Sequence, residues 1–276
     1  MKSKPIKSNG GFLGLLMGLL IFGFFIWGIG YSLGPGDEIL AIMLYIPVYL
    51  FLGVFILLLL GAFTLKYICE EDQLLISFGL MKVKIPWDQI TTIQKIEGKV
   101  NYYSILGVSW PGFIAGLYSA KGLGYVKMYS SDTIDGFLLL RTNIGLYGIS
   151  PEDVELANFI AGKTDLPIET INMDELSEEK KGINMQADSF YKLLLYINIF
   201  FIGLFALYLL VFYPGSGAPS FVVLLLILAA ALFFFNLGNA ARLYQFSTTG
   251  GYILMVVGIA VTGIFLILSL SEISLK

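Results

Sequence analysis

Histidine is absent from this chain, and cysteine occurs once, at Cys69. The first absence removes imidazole general bases, histidine metal ligands and Ser-His-Asp chemistry. The second removes intrachain disulfides and cysteine clusters for zinc or iron–sulfur. Cys69 itself reads as a small apolar residue in a strand, because no base or helix N-terminus is evident beside it. Charge is scarce as well: 13% of the 276 residues are Asp, Glu, Lys or Arg, where soluble domains carry about a quarter. The hydrophobic share is 57%. A soluble globular domain is excluded, and an integral membrane protein is expected.

The charge that is present is partitioned. Residues 67–190 hold 17 of the 20 acids and 10 of the 17 bases, a net of −7, and the rest of the chain has a net of +4. Uncharged runs flank that block at 11–33, 39–65, 193–213, 219–237 and 250–270. Each is about 20 residues, the length a helix needs to cross a bilayer. The first run is longer than a signal-peptide core and no small-residue cleavage site follows, so it is expected to be retained. The loop "GPGDE" at 34–38 forces a helical hairpin. With five spans, Lys2, Lys4, Lys7, Lys66, Lys192 and Arg242 all fall on one side, and the base-free loops "GPGDE" and "YPGSGAPS" fall on the other. The positive-inside rule then predicts a multi-pass plasma-membrane protein. The N-terminus and residues 67–190 are expected in the cytoplasm, and the C-terminus outside.

Four regions follow: 1–66, tail and hairpin; 67–163, a polar domain; 164–190, an acidic linker with at most a short helix near Asp174–Lys181; and 191–276, the remaining spans. Inside the domain the period changes to short alternating segments. "YICEEDQLLISFG" and "LMKVKIPWDQI" read as strands, with Pro86 ending the second. "SPEDVELANFIAG" reads as a helix with Ser150 at the N-cap, Pro151 at its first position and Gly162 as a stop. The expected domain is six to seven antiparallel strands closed by one helix.

The stretch "VNYYSILGVSWPGFIAGLYSA" (100–120) is uncharged and long enough to be a span. A sixth span would put Lys192 and Arg242 on the wrong side. Its glycines match neither GxxxxGK[ST] nor GxGxxG, so a nucleotide loop is disfavoured. It is expected to be a long inter-strand connection whose apolar groups pack on the sheet, meet a partner or enter the membrane interface. Trp110, Phe113, Tyr118 and Lys121 are its candidate interaction residues. Within the spans, Asn198 and Asn236 are the polar candidates, more in keeping with interhelical glue than with a substrate site. No Asp, Glu, Lys or Arg sits mid-span, which disfavours ion-coupled transport.

The segments "LLISFGLMKVKIPWDQITTI" and "GFLLLRTNIGLYGISPEDVELANFI" resemble the bacterial pleckstrin-homology (PH) families of membrane proteins. The resemblance covers 67–163 and implies a binding or scaffolding module. It does not imply phosphoinositide binding, since Lys82, Lys84, Lys95, Lys99, Lys121, Lys127 and Arg141 are spread along the block and offset by acids. The fold class is therefore a multi-domain membrane protein, an α-helical bundle of about five spans with an inserted α+β PH-like domain. The expected function is non-enzymatic: presentation of that domain to a protein partner or a second copy, in contact with the lipid bilayer. No cofactor, metal or nucleic acid is expected. The alternative is a small transport or channel component with a regulatory cytoplasmic domain.

Overall fold

The computed structural model describes residues 1–274 except 99, 101, 121, 132, 134–135, 178–184 and 216. Six α-helices are numbered in chain order: α1 Gly10–Ser32, α2 Glu38–Thr64, α3 Glu155–Thr164, α4 Ser189–Phe212, α5 Ser220–Phe246 and α6 Thr248–Ser274. All but α3 are long and apolar enough to cross a membrane. The chain divides into two compact units, Met1–Leu19 with Leu52–Ile183, and Leu20–Phe51 with Asn184–Lys276.

The first unit holds two sheets. One is wholly antiparallel, in the order β1-β2-β3-β4, from β1 Lys2–Ser3, β2 Lys66–Cys69, β3 Gln73–Phe78 and β4 Met81–Pro86. The other runs β11-β5-β9-β10-β8-β7-β6. Its strands are β5 Ile90–Glu97, β6 Tyr102–Trp110, β7 Phe113–Ala120, β8 Gly124–Ser130, β9 Phe137–Thr142, β10 Gly145–Ile149 and β11 Ile168–Asn172. Alternation puts Tyr67, Leu74, Ile76 and Ile85 into a shared core with Ile93, Leu138, Leu140 and Ile149 of the larger sheet. Leu156 and Ile160, one turn apart on α3, complete it.

Several expectations are corrected here. The sheet is not wholly antiparallel: β10 runs parallel to β8, and β11 parallel to β5. The sheet-rich region lies in the chain between α2 and α4 and is not inserted into a separate helical bundle. The N-terminal tail is part of it. Lys2 and Ser3 pair with Ile68 and Tyr67, Ile6 N–H donates to Ser150 O at 2.9 Å, and Glu152 N–H donates to Lys4 O at 2.9 Å. This pairing, with an isolated bridge between Pro5 and Pro151, occupies the backbone of 150–152, and α3 starts at Glu155 and not at Ser150. The Ser150 hydroxyl instead accepts from Ser131 N–H at 3.1 Å. The helix also runs past Gly162, ending where Asp165 adopts φ 55. Within 164–190, residues Ile168–Asn172 extend the larger sheet. The expected short helix is a single 3₁₀ turn at Met173–Glu175, and its 178–181 portion lies outside the described residues.

The second unit is helical. Phe205, Val222, Leu226 and Ala229 form one apolar cluster between α4 and α5. Tyr191, Leu194, Ala240, Tyr244 and Met255 form another where α4, α5 and α6 meet. Helix α4 begins four residues before the uncharged run because Asp188 caps it. Its Oδ1 accepts from Phe190 N–H at 2.8 Å and Tyr191 N–H at 3.2 Å.

Candidate functional site

Within the 100–120 stretch, Tyr102–Trp110 and Phe113–Ala120 form a β-hairpin, not a connection. Strands β6 and β7 pair in antiparallel register from Tyr102↔Ala120 to Trp110↔Phe113. Pro111 and Gly112 make the turn, with Gly112 at φ +80, which matches a type II turn with proline before glycine. The turn seats against the first turn of α1. Trp110 Nε1–H donates to Gly10 O at 2.7 Å, and the Ser8 hydroxyl donates to Gly112 O at 2.7 Å. A Cβ on Gly10 would lie 2.1 Å from Gly112 O, so the two backbones meet only because neither residue has a side chain.

Rings complete the contact. Trp110 lies 4.6 Å from Phe113 and 5.7 Å from Phe55 of α2, and Phe113 stacks on Phe78 at 6.0 Å. Trp110 is 9% exposed, Phe113 3% and Tyr118 2%. These three candidates are therefore not surface groups in this chain. Trp110, Phe113, Ile114 and Tyr118 are removed from water by the domain and by the adjoining helix ends. Burial also pushes the Tyr118 phenol pKa up. Lys121 lies outside the described residues.

What the hairpin does expose is its outer strand. β6 ends the larger sheet and has no second strand neighbour among the described residues. Other sheet edges are guarded: β4 carries Lys82 and Lys84 and ends at Pro86, and β11 is five residues with Glu169. β6 is nine residues, "YYSILGVSW", with neither charge nor proline. Its one protective feature is a register shift between Ser104 and Leu106, and Leu106 is 78% exposed.

The smaller sheet gathers lysines that are dispersed in the sequence. Lys66 pairs with Ser77 and Ser77 with Lys82; Lys2 pairs with Ile68, Ile68 with Leu75 and Leu75 with Lys84. Directly paired residues, and residues two apart on a strand, share a face. Lys2, Lys66, Lys82 and Lys84 therefore stand on one face, all exposed and without an ion pair among the described residues. Glu70 ends that face at the opposite end of the strands from the β3–β4 turn. Sequence reading missed this cluster because Lys2 and Lys84 are 82 positions apart; the period-2 parity of 82 and 84, and of 66, was the available signal.

In the second unit, Asn198 and Asn236 are both 3% exposed. Asn198 Nδ2 donates to Leu194 O at 2.9 Å on its own helix and to Met255 O at 3.1 Å on α6. Both amides converge over Gly258, where a Cβ would lie 2.7 Å from Asn198 Oδ1 and 2.9 Å from Asn236 Nδ2. Asp188 Oδ2 accepts from the hydroxyls of Tyr244, at 2.6 Å, and Tyr252. Burial alone would raise the Asp188 carboxyl. The two phenols and the Tyr191 and Phe190 N–H groups outweigh it and bring the pKa to about 2. This carboxylate was not singled out in the sequence. Among the described residues no group of His, Cys, Asp or Glu could hold a metal ion. Burial pushes the Cys69 thiol pKa up, away from thiolate chemistry.

Residues 65–164 match the family described as bacterial PH domain. An uncharacterized protein of Clostridium acetobutylicum is 24% identical over 142 residues, which is 50% of this chain and 46% of that relative. The chain thus spans about half the length of the curated relative it matches. No solved structure matches.

Proposed function

We propose that this chain is a non-enzymatic membrane protein whose PH-like domain binds an extended segment of another protein, or of a second copy, along β6. The single observation that carries the reading is the uncharged, proline-free strand β6 at the end of its sheet, in a domain whose other edges are guarded. An added strand gains main-chain hydrogen bonds from such an edge, with alternate side chains supplying selectivity. The matched family supports a module of this kind. The five apolar helices support membrane insertion. The lysines at 2, 4, 7, 66 and 192, with Arg242, support a cytoplasmic location for the domain, and the pairing of the tail with β2 supports a shared side for the tail and the domain.

The test is a photocrosslinking residue at Leu106 in the full chain, expressed in cells. A discrete adduct, lost when Val108→Lys places a charge on the same strand, supports the reading. Its mass separates a second copy from another protein. Absence of any adduct with a correctly inserted chain overturns it.

A further inference from the structure

The β3–β4 turn is the second place where the domain meets α2, and its chemistry differs from that of the 110–113 turn. Gly79 N–H donates to the Thr64 hydroxyl at 2.9 Å. A Cβ on Gly79 would lie 3.3 Å from Gly61 N and 3.4 Å from Leu57 O. Gly61 in turn leaves room for the Phe78 ring, which a Cβ there would meet at 2.3 Å. With a rise of about 1.5 Å per residue, this contact sits roughly 5–10 Å back from the end of α2 at Thr64. The turn therefore lies alongside the last two turns of a helix apolar enough to span a membrane, not beyond its end.

At that level the surface of α2 is apolar and open: Leu57 is 52% exposed, Leu60 44% and Phe63 49%. The turn continues this belt. Leu80 is 83% exposed and Met81 54%, although nothing in the turn's geometry needs large apolar side chains there. One row behind the turn, Lys66 and Lys82 flank Ser77. Lys84 and Lys2 follow one row further, about 7 Å along the strands. The order from tip to domain is thus apolar, then cationic. That is the order a bilayer presents as hydrocarbon and then phosphate.

We propose that Leu80 and Met81 form a wedge in the same bilayer that holds α2, with Lys66 and Lys82 at its headgroups. The occupant of this surface is lipid: acyl chains against Leu80 and Met81, anionic headgroup oxygens against the lysines. The wedge fixes how the domain lies on the membrane. It also orients the four-lysine face toward lipid, not toward a soluble partner. The proposal rests on the reading that α2 spans a membrane, and the experiment separates the two.

Single nitroxide labels are placed at Leu80→Cys, Leu57→Cys and Asp88→Cys in a full-length Cys69→Ala background, reconstituted into vesicles containing anionic lipid. Collision with oxygen is compared with collision with a water-soluble nickel chelate at each site. Position 57 reports the span, and exposed Asp88 reports water. Oxygen-favoured collision at 80, shifted to the value at 57 and away from that at 88, supports the wedge. A water-like value at 80 with a lipid-like value at 57 overturns the wedge and leaves the span intact. Water-like values at both 80 and 57 overturn the span, and the wedge with it.

Discussion

The two units are fastened by opposite chemistry. In the first, the decisive contacts are rings and bare backbone: Trp110, Phe113, Phe78 and Phe55 around a Gly10–Gly112 contact. In the second, they are polar side chains on apolar helices: Asn198 from α4 to α6, Tyr208 hydroxyl to Ser269 O at 2.7 Å, and Asp188 to two tyrosines. The difference follows from composition. Where sheets satisfy the backbone, apolar burial selects the packing. Among helices apolar on every face, hydrogen bonds and small residues select the partner. Asn198 and Gly258 are one such pair.

Four substitutions and one control test this contrast, here from the largest expected effect to the smallest. Trp110→Ala removes a ring buried between the hairpin and two helix ends, and should cost about 3–5 kcal/mol. Hydrogen exchange should quicken across β6, β7 and the first turn of α1 while α4 to α6 stay protected. Equal quickening in both units would break the contrast. Gly10→Val drives a side chain into Gly112 O and should cost about 1–3 kcal/mol. Gly23→Val, on the same helix with nothing within 4 Å of its Cβ position, should stay within about 0.5 kcal/mol. Thermal unfolding of the detergent-purified chain reads both.

Asn198→Leu keeps the bulk and removes the bond to Met255 O. About 1 kcal/mol is expected, confined to the second unit. Asp188→Asn is read by pH. The carboxylate's contribution is complete above its unfolded value of 3.8 and is lost as pH falls through about 2. The parent chain should therefore lose melting temperature across that window more steeply than Asp188→Asn. Identical slopes would remove Asp188 from the fastening of α4.

What was legible in the sequence was whatever depends on local composition and period. The five apolar runs became five long helices, because length and the absence of charge suffice for that. The strands around Pro86 and Phe137 followed from alternation and from proline. Long-range pairing was not legible. Nothing local in "MKSKPIKSN" marks it as a strand partner of Tyr67 and of Ser150, since its three lysines read equally well as a basic flank. Trp110 and Phe113 were recognised as groups that water would not tolerate, but their partners lie 35 to 100 positions away, at Phe78, Phe55 and Gly10. The lysine face was hidden for the same reason. Cross-strand register, not sequence distance, brings Lys66 and Lys82 to either side of Ser77.

The threading of the N-terminal tail has a consequence in time. Ser3 pairs with Tyr67, the Ser8 hydroxyl donates to Gly112 O and Ile6 N–H donates to Ser150 O. On the ribosome those partners appear progressively later, after α1 and α2 have been made. The tail is thus among the last parts of the domain to settle, and it waits through two helices and nine later strands. The domain's closure therefore waits on its earliest segment, because the tail can pair only with strands made after α1 and α2.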